Sequence, residues 1–127
     1  MKKLILLFTL ILVLFTSCVQ EEFEKKVTFI VDTNGIENIT SLGIRGNFLP
    51  NQWRETVPLK DDDNDGVYEI TFNEKTAVYG ISFKFVQNGF DYELKNEENR
   101  QIVFEYKPET IVYKTKFNNS KSEITRK

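Results

Sequence analysis

The chain has 127 residues, of which 40% are hydrophobic and 13% aromatic, and its formal net charge is −2 at neutral pH. It is long enough for one domain with its own core, and without a basic stripe it is not expected to bind nucleic acid. It has no histidine and a single cysteine, which excludes Ser–His and Cys–His nucleophiles and an ordinary zinc site.

The first residues have the pattern of a signal peptide. A basic "MKK" precedes residues 4–15, which are apolar apart from Thr9, a run too short for a membrane-spanning helix. The sequence "FTSC" then ends in Cys18. This arrangement resembles the acylation signal of bacterial lipoproteins, in which the cysteine is acylated and becomes the new N-terminus when the signal peptide, here residues 1–17, is removed. The alternative is a plain secretory signal with a chance cysteine.

Residues 18–26 predict an acidic tether. The second mature residue, Val19, is not the aspartate that retains lipoproteins in the inner membrane, and the "QEEFE" run resembles a surface-export signal. The sequence therefore predicts a domain held by lipid at the bacterial outer membrane or cell surface. Loss of the two lysines of the signal peptide lowers the net charge to about −4.

Short alternating apolar segments separated by turn residues follow the tether, and no segment has a helical period. This pattern predicts an all-β fold, an immunoglobulin-like antiparallel β-sandwich of seven to eight strands within residues 27–117. The polar tail, residues 118–127, is expected to fray. The predicted strands are Val27–Val31, Leu42–Asn47, Val57–Lys60, Val67–Phe72, Ile81–Gln87, Phe90–Leu94, Gln101–Tyr106 and Thr110–Phe117.

Little in the sequence points to catalysis. There is no phosphate-binding glycine loop, and although 19 acidic residues allow many carboxylate pairs, a small sandwich rarely has the cleft that a glycosidase needs. We therefore predict no enzyme activity, no catalytic residue and no cofactor.

The most acidic segment is "KDDDNDGVYEITF", residues 60–72. Asp61, Asp63, Asp65 and Gly66 match the first positions of a calcium loop, which also needs a bidentate glutamate at its twelfth position. That position is Phe72. We therefore interpret the segment as a tight turn between strands and predict no metal site, with weak calcium binding as the alternative.

Four segments in order resemble one protein family: "GNFLPNQW" (46–53), "PLKDDDNDGVYEITF" (58–72), "ISFKFVQNGFDYEL" (81–94) and "NR" (99–100). Together they are similar to the starch- and glycogen-binding modules of carbohydrate-binding families 20 and 48. These families include the glycogen-binding domain of AMP-activated kinase.

The resemblance implies non-catalytic binding of an α-glucan polysaccharide or oligosaccharide. Trp53 and Tyr92 take the places of the two stacking residues, Tyr92 in place of a tryptophan, while Lys84 and Asn99 match hydrogen-bonding residues. Glu93 is a further candidate. Aromatic rings suit the apolar faces of sugars, and polar groups suit their hydroxyls. Polysaccharide-degrading or transport proteins are the expected protein partners.

Two alternatives concern the side chains themselves. A lone tryptophan such as Trp53 is often part of a sandwich core. A two-residue loop at Asn88-Gly89 would set Tyr92 opposite Phe85 and toward the core, whereas a three-residue loop starting at Gln87 would set it opposite Lys84 on the outer face. The rival function is that of a structural or protein-interaction lipoprotein with no sugar site.

Overall fold

The computed structural model describes residues 2–6 and 19–127 of the chain. Residues 2–6 are helical, and among the described residues no helix is both long and apolar enough to cross a membrane. Cys18, the predicted acylation site, lies outside the described residues.

Within residues 19–127, nine strands form two sheets. The strands are β1 (Phe23–Asp32), β2 (Leu42–Gly46), β3 (Val57–Pro58), β4 (Val67–Thr76), β5 (Gly80–Gln87), β6 (Asp91–Tyr92), β7 (Arg100–Val103), β8 (Glu109–Lys116) and β9 (Ser122–Arg126). The four-stranded sheet has the order β4-β1-β8-β9, and the five-stranded sheet has the order β3-β2-β5-β6, with β7 also paired to β5. The predicted β-sandwich is confirmed, and each predicted strand has a counterpart.

Alternation in the sequence explains which residues enter the core. Phe29 of β1 is fully buried at the centre of the core. Its ring centroid lies 4.8 Å from that of Phe83 and 6.0 Å from that of Phe72. In β4, Tyr68, Ile70 and Phe72 pack against the core, as the period of two predicts. The core therefore fixes which face of each sheet points outward.

Three details differ from the prediction. β1 begins at Phe23, inside the predicted tether, and β1 and β8 are parallel, with Lys25 opposite Glu109. The tail does not fray: residues 122–126 form β9, an antiparallel partner of β8. All five side chains of β9 are exposed, so the strand carries no apolar pattern, and its hydrogen bonds to β8 order it instead.

Candidate functional site

The outer face of the five-stranded sheet carries two of the predicted sugar-binding residues, Lys84 and Tyr92. Arg45 of β2 lies opposite Lys84 of β5, and Val86 of β5 lies opposite Tyr92 of β6. The intervening residue of β5, Phe85, is fully buried in the core. Because neighbouring residues of a strand point to opposite sides, the four paired residues lie on the side of the sheet away from the core, where Arg45, Lys84 and Tyr92 are partly exposed and Val86 is fully covered.

The β5–β6 hairpin adopts neither of the two predicted registers. Gln87 pairs with Asp91, so the loop consists of residues 88–90. Asn88 and Gly89 both have positive φ, 54° and 88°, a conformation that asparagine and glycine tolerate best. The loop has three residues but starts one residue later than expected. Tyr92 still faces outward, as a sugar site requires.

Trp53 lies outside the core. It sits in a short 3-10 turn, Gln52–Arg54, and is half-buried. It is not among the side chains of the core or those packed against it. Its carbonyl oxygen accepts hydrogen bonds from a guanidinium nitrogen of Arg45 at 3.2 Å and from the hydroxyl of Tyr92 at 3.3 Å. The two predicted stacking residues are therefore neighbours.

Arg45, which the sequence analysis did not single out, organises this surface. Its Nε donates to the hydroxyl of Thr56 at 2.7 Å, and its terminal nitrogens donate to the hydroxyl of Tyr92 and to the carbonyl of Gly89. The guanidinium also lies over the ring of Tyr92, 5.4 Å from its centroid. One side chain thus joins the Trp53 turn to the hairpin tip, using the several donors that only arginine offers.

Lys84 of the same face contacts the loop before β7, in which Asn99 lies. The ammonium of Lys84 donates to the carbonyls of Leu94 and Glu97 at 2.9 and 2.8 Å. Within the described part of the chain, two of its three donors are thus engaged. Asn99 is exposed in the segment that follows Glu97 and directly precedes β7. Lys84 therefore fixes the loop that leads to Asn99.

Glu93 does not belong to this surface. It is 1% exposed, and its carboxylate forms an ion pair with Arg100, with a shortest distance of 2.6 Å. It also accepts hydrogen bonds from the backbone N–H groups of Phe85 and Asn118. The prediction that Glu93 contacts sugar is wrong, because its oxygens are satisfied inside the sandwich. The partner, Arg100, has a raised pKa: burial lowers it, but the Glu93 carboxylate outweighs burial.

The hairpin tip exposes a further aromatic side chain. Phe90 is 75% exposed, and it follows Gly89, whose carbonyl accepts hydrogen bonds from Arg45 and Thr56. Phe90 was predicted to begin a strand, so its exposure at a loop tip was not expected. The signal was the adjacent "NG" turn, because a loop of residues 88–90 leaves the ring at the tip.

A groove of about 390 Å³ lies next to Tyr92, along the β6 edge. Its lining includes Gln87, Asp91, Lys95 and Asn118. Hydrogen bonds from Lys95 and then Gln87 hold the pKa of Asp91 below its usual range. The groove has the volume of a small-ligand site and is mainly polar.

The acidic run forms a turn between strands. Oxygens of Asp61, Asp63 and Asp65 lie within 4.8 Å of one another. Asp61 accepts from the backbone N–H groups of Asp65 and Gly66, and Asp65 accepts from that of Val67, which lowers the pKa of Asp65. The carboxylates thus replace the missing backbone partners of a tight turn.

The fold and this outer face together define a β-sandwich with one aromatic and cationic surface. No protein-family model matches the chain, and no curated protein matches it. Among solved structures it is similar to CBM25-2 of the beta/alpha-amylase from Paenibacillus polymyxa, with 18% identity, a TM-score of 0.50, and coverage of 83% of this chain and 94% of that chain.

A second similar structure is CBM25-1 of the same enzyme, also at 18% identity, with a TM-score of 0.45 and coverage of 82% of this chain and 93% of that chain. At this level of identity the likeness concerns the fold. The sandwich shared with CBM25-2 agrees with the fold that the sequence pattern implied. Membership of family 20 or 48 stays a prediction.

Proposed function

We propose that the domain binds α-glucan, a starch- or glycogen-type polysaccharide or its oligosaccharides, without catalysing a reaction on it. The observation that carries this proposal is the joint position of Trp53, Arg45 and Tyr92. The backbone carbonyl of a tryptophan outside the core accepts hydrogen bonds from a tyrosine and an arginine on one outer face, so the turn that carries Trp53 lies beside them. The fold shared with a module of an amylase agrees with this choice of ligand.

The chemistry suits a sugar chain. The apolar face of a glucose ring packs on the indole of Trp53, and Phe90 offers a second exposed ring nearby. Tyr92 has one face covered by Arg45, so only its other face is open to a ligand. Lys84 has one donor left for a hydroxyl, and the groove beside Tyr92 accommodates a neighbouring sugar unit. Few rings take part, so the affinity is modest.

We further propose that Cys18 is acylated and that the domain is held on the outer membrane or cell surface. A single acyl chain binds a membrane only marginally, whereas several chains on one cysteine form a stable anchor. An anchored domain would keep polysaccharide close to degrading enzymes or transporters. The acidic residues after Cys18 would keep the start of the chain hydrated.

Affinity electrophoresis in gels with and without amylopectin tests the binding. We expect the polysaccharide to retard the wild-type chain and to have no effect on Trp53→Ala, which lacks the main stacking ring. Tyr79→Ala is the matched control, because it removes an aromatic ring that is 87% exposed outside the proposed site. It should migrate like the wild type.

The rival function is a structural or protein-interaction lipoprotein. The observation that favours it is the set of internal hydrogen bonds that occupy most donors of Arg45 and Lys84. The same hydrogen bonds would be needed if these residues only stabilised the neighbouring loops. The same gels separate the two functions. A wild-type chain that migrates identically with and without amylopectin would reject glucan binding and leave the rival.

A further inference from the structure

One end of the sandwich exposes a group of apolar and aromatic side chains. We call it the apolar end; its members are Val78, Tyr79, Val103 and Tyr106, which are 51%, 87%, 62% and 74% exposed. Val78 and Tyr79 lie in the turn from β4 to β5. The carbonyl of Tyr79 accepts a hydrogen bond of 2.7 Å from the N–H of Phe104, and Val103 pairs with the residue after Tyr79. The side chains therefore lie close together.

Phe23, the first residue of β1, and Glu21 just before it contact the apolar end. The rings of Phe23 and Tyr106 meet edge to face with centroids 4.7 Å apart, and the hydroxyl of Tyr106 lies 3.4 Å from a carboxylate oxygen of Glu21. Phe23 also pairs with Thr76, just before the β4–β5 turn. The five residues from Cys18 to Phe23 reach at most about 17 Å even when fully extended, so a lipid on Cys18 lies near this end.

The proposed sugar surface lies toward the other end. β5 starts beside Tyr79 and runs from Gly80 to Gln87 before it reaches the hairpin tip. Eight residues of strand span about 26 Å. Phe90, on the tip, is thus separated from Tyr79 by the length of the strand. The molecule has one end beside the proposed anchor and one that carries the exposed ring of the sugar surface.

We propose that the apolar end rests on the lipid bilayer and orients the sugar surface away from the membrane; this rests on the proposed lipid anchor. Tyrosine is favoured at the headgroup layer because its ring is apolar and its hydroxyl polar, and the two valines contact the acyl boundary. Four side chains alone would bind a bilayer weakly. The lipid tether makes their contact with the bilayer intramolecular, and the resulting high effective concentration compensates for the weak affinity.

Charge identifies the kind of contact. Glu21 and Glu105 lie around the apolar end, but so do Lys107, which pairs with Glu105, and Arg126, which donates to the carbonyl of Val103, so charges of both signs are present. The bilayer contact is therefore apolar and depends little on salt. Zwitterionic phosphatidylcholine is the matching test surface.

Quenching by brominated lipid tests the orientation. In a Trp53→Phe background, Tyr79→Trp and Phe90→Trp each place the only tryptophan at one end of the lipid-anchored chain, reconstituted in phosphatidylcholine vesicles. We expect brominated acyl chains to cause a loss of emission from the Tyr79→Trp variant, together with a blue shift, at low and high salt alike. The Phe90→Trp variant should lose none.

The anchor is checked separately, by the mass of Cys18 in chain extracted from bacterial membranes. If its thiol is free, the proposal of a lipid anchor is wrong. Coupling Cys18 to a maleimide lipid then supplies a tether of the same length, so that the bilayer contact can still be tested. The bilayer contact is overturned if Tyr79→Trp is not quenched, or if both variants are quenched equally. A blue shift without quenching, together with self-association, would assign the apolar end to a second copy and also overturn the proposal.

Discussion

Arg45 connects two loops of the proposed binding surface through a single guanidinium. Replacing it with methionine keeps an unbranched side chain about as long as the aliphatic part of arginine but removes the donors to Trp53, Tyr92, Thr56 and Gly89. We expect Arg45→Met to weaken amylopectin binding about tenfold, or about 1.4 kcal/mol, because the rings are no longer held in place. Affinity electrophoresis measures the change.

Arg54→Met is the control for this substitution. Arg54 is exposed and directly follows Trp53, so the variant removes a nearby positive charge without touching the bonds of Arg45. If both variants lose affinity to the same degree, the role of Arg45 is one of charge alone, and its positioning role is wrong.

The sequence could predict some of these side chains and not others. Tyr92 and Glu93 are consecutive in the chain, and consecutive strand residues face opposite sides, so an outward Tyr92 already implied an inward Glu93. The pairing of Glu93 with Arg100 had no comparable signal. Arg45 was not predicted because a charged residue in a strand is normally solvated, and two of its four partners, Tyr92 and Gly89, are distant in the sequence.

At the scale of elements, the Trp53 loop lies close to the backbone of β2. A Cβ at residue 43 would lie 2.2 Å from Cγ2 of Thr56 and 2.9 Å from the carbonyl oxygen of Val57. We expect Gly43→Ala to lower the free energy of unfolding by about 1–3 kcal/mol. It should also weaken glucan binding, since Thr56 bonds both Arg45 and Gly89. Thermal unfolding and gel electrophoresis check the two effects.

A second substitution tests the cause of this destabilisation. Thr56→Ser removes Cγ2 and keeps the hydroxyl. The loss of stability caused by Gly43→Ala should therefore be smaller in the Thr56→Ser background than in the wild type. The contact with the carbonyl of Val57 remains, so recovery is incomplete. No recovery would show that Thr56 is not the obstacle.

Elements were predictable where burial produces a pattern. The strands of the core alternate apolar and polar residues, and each was predicted. β9 was missed because none of its side chains is buried. The hairpin register also could not be predicted, since loops of two or three residues fit the same "QNGF" letters. A shift of one residue changes which pairs form, and only the packed sheet fixes it.

At the scale of the whole molecule, a buried charge network at the start of β1 links three neighbouring strands of the four-stranded sheet, β1, β8 and β9. Lys25 and Glu109 form an ion pair of 2.7 Å, and Arg126 of β9 also binds Glu109. Burial by itself raises the pKa of Glu109. The hydrogen bonds from Lys25, the backbone N–H of Glu105 and Arg126 outweigh it, so the pKa lies below its usual 4.5.

This lowered pKa predicts how stability depends on acid. The contribution of Glu109 is complete above its unfolded pKa, near 4.5, and is lost as the pH falls through the lower folded value. We expect Glu109→Gln to be less stable at neutral pH by about 3 kcal/mol, because Lys25 loses its buried partner. Its stability should fall less than that of the wild type below pH 4.5.

Urea unfolding across this pH range gives the comparison. Glu98→Gln is the control, since Glu98 is exposed in a loop and its substitution should leave the curve close to that of the wild type. Parallel curves for the wild type and Glu109→Gln would contradict the role given to this carboxylate.

The parallel pairing of β1 with β8 also sets an order of events during folding. Lys25 and Glu109 are 84 residues apart in the chain, so one side of β1 has no partner until the residues of β8 have emerged from the ribosome. Contacts between such distant residues form slowly. Because β1 gains its second partner strand late, the chain stays incompletely folded during synthesis. An incompletely folded chain suits the export proposed for this protein.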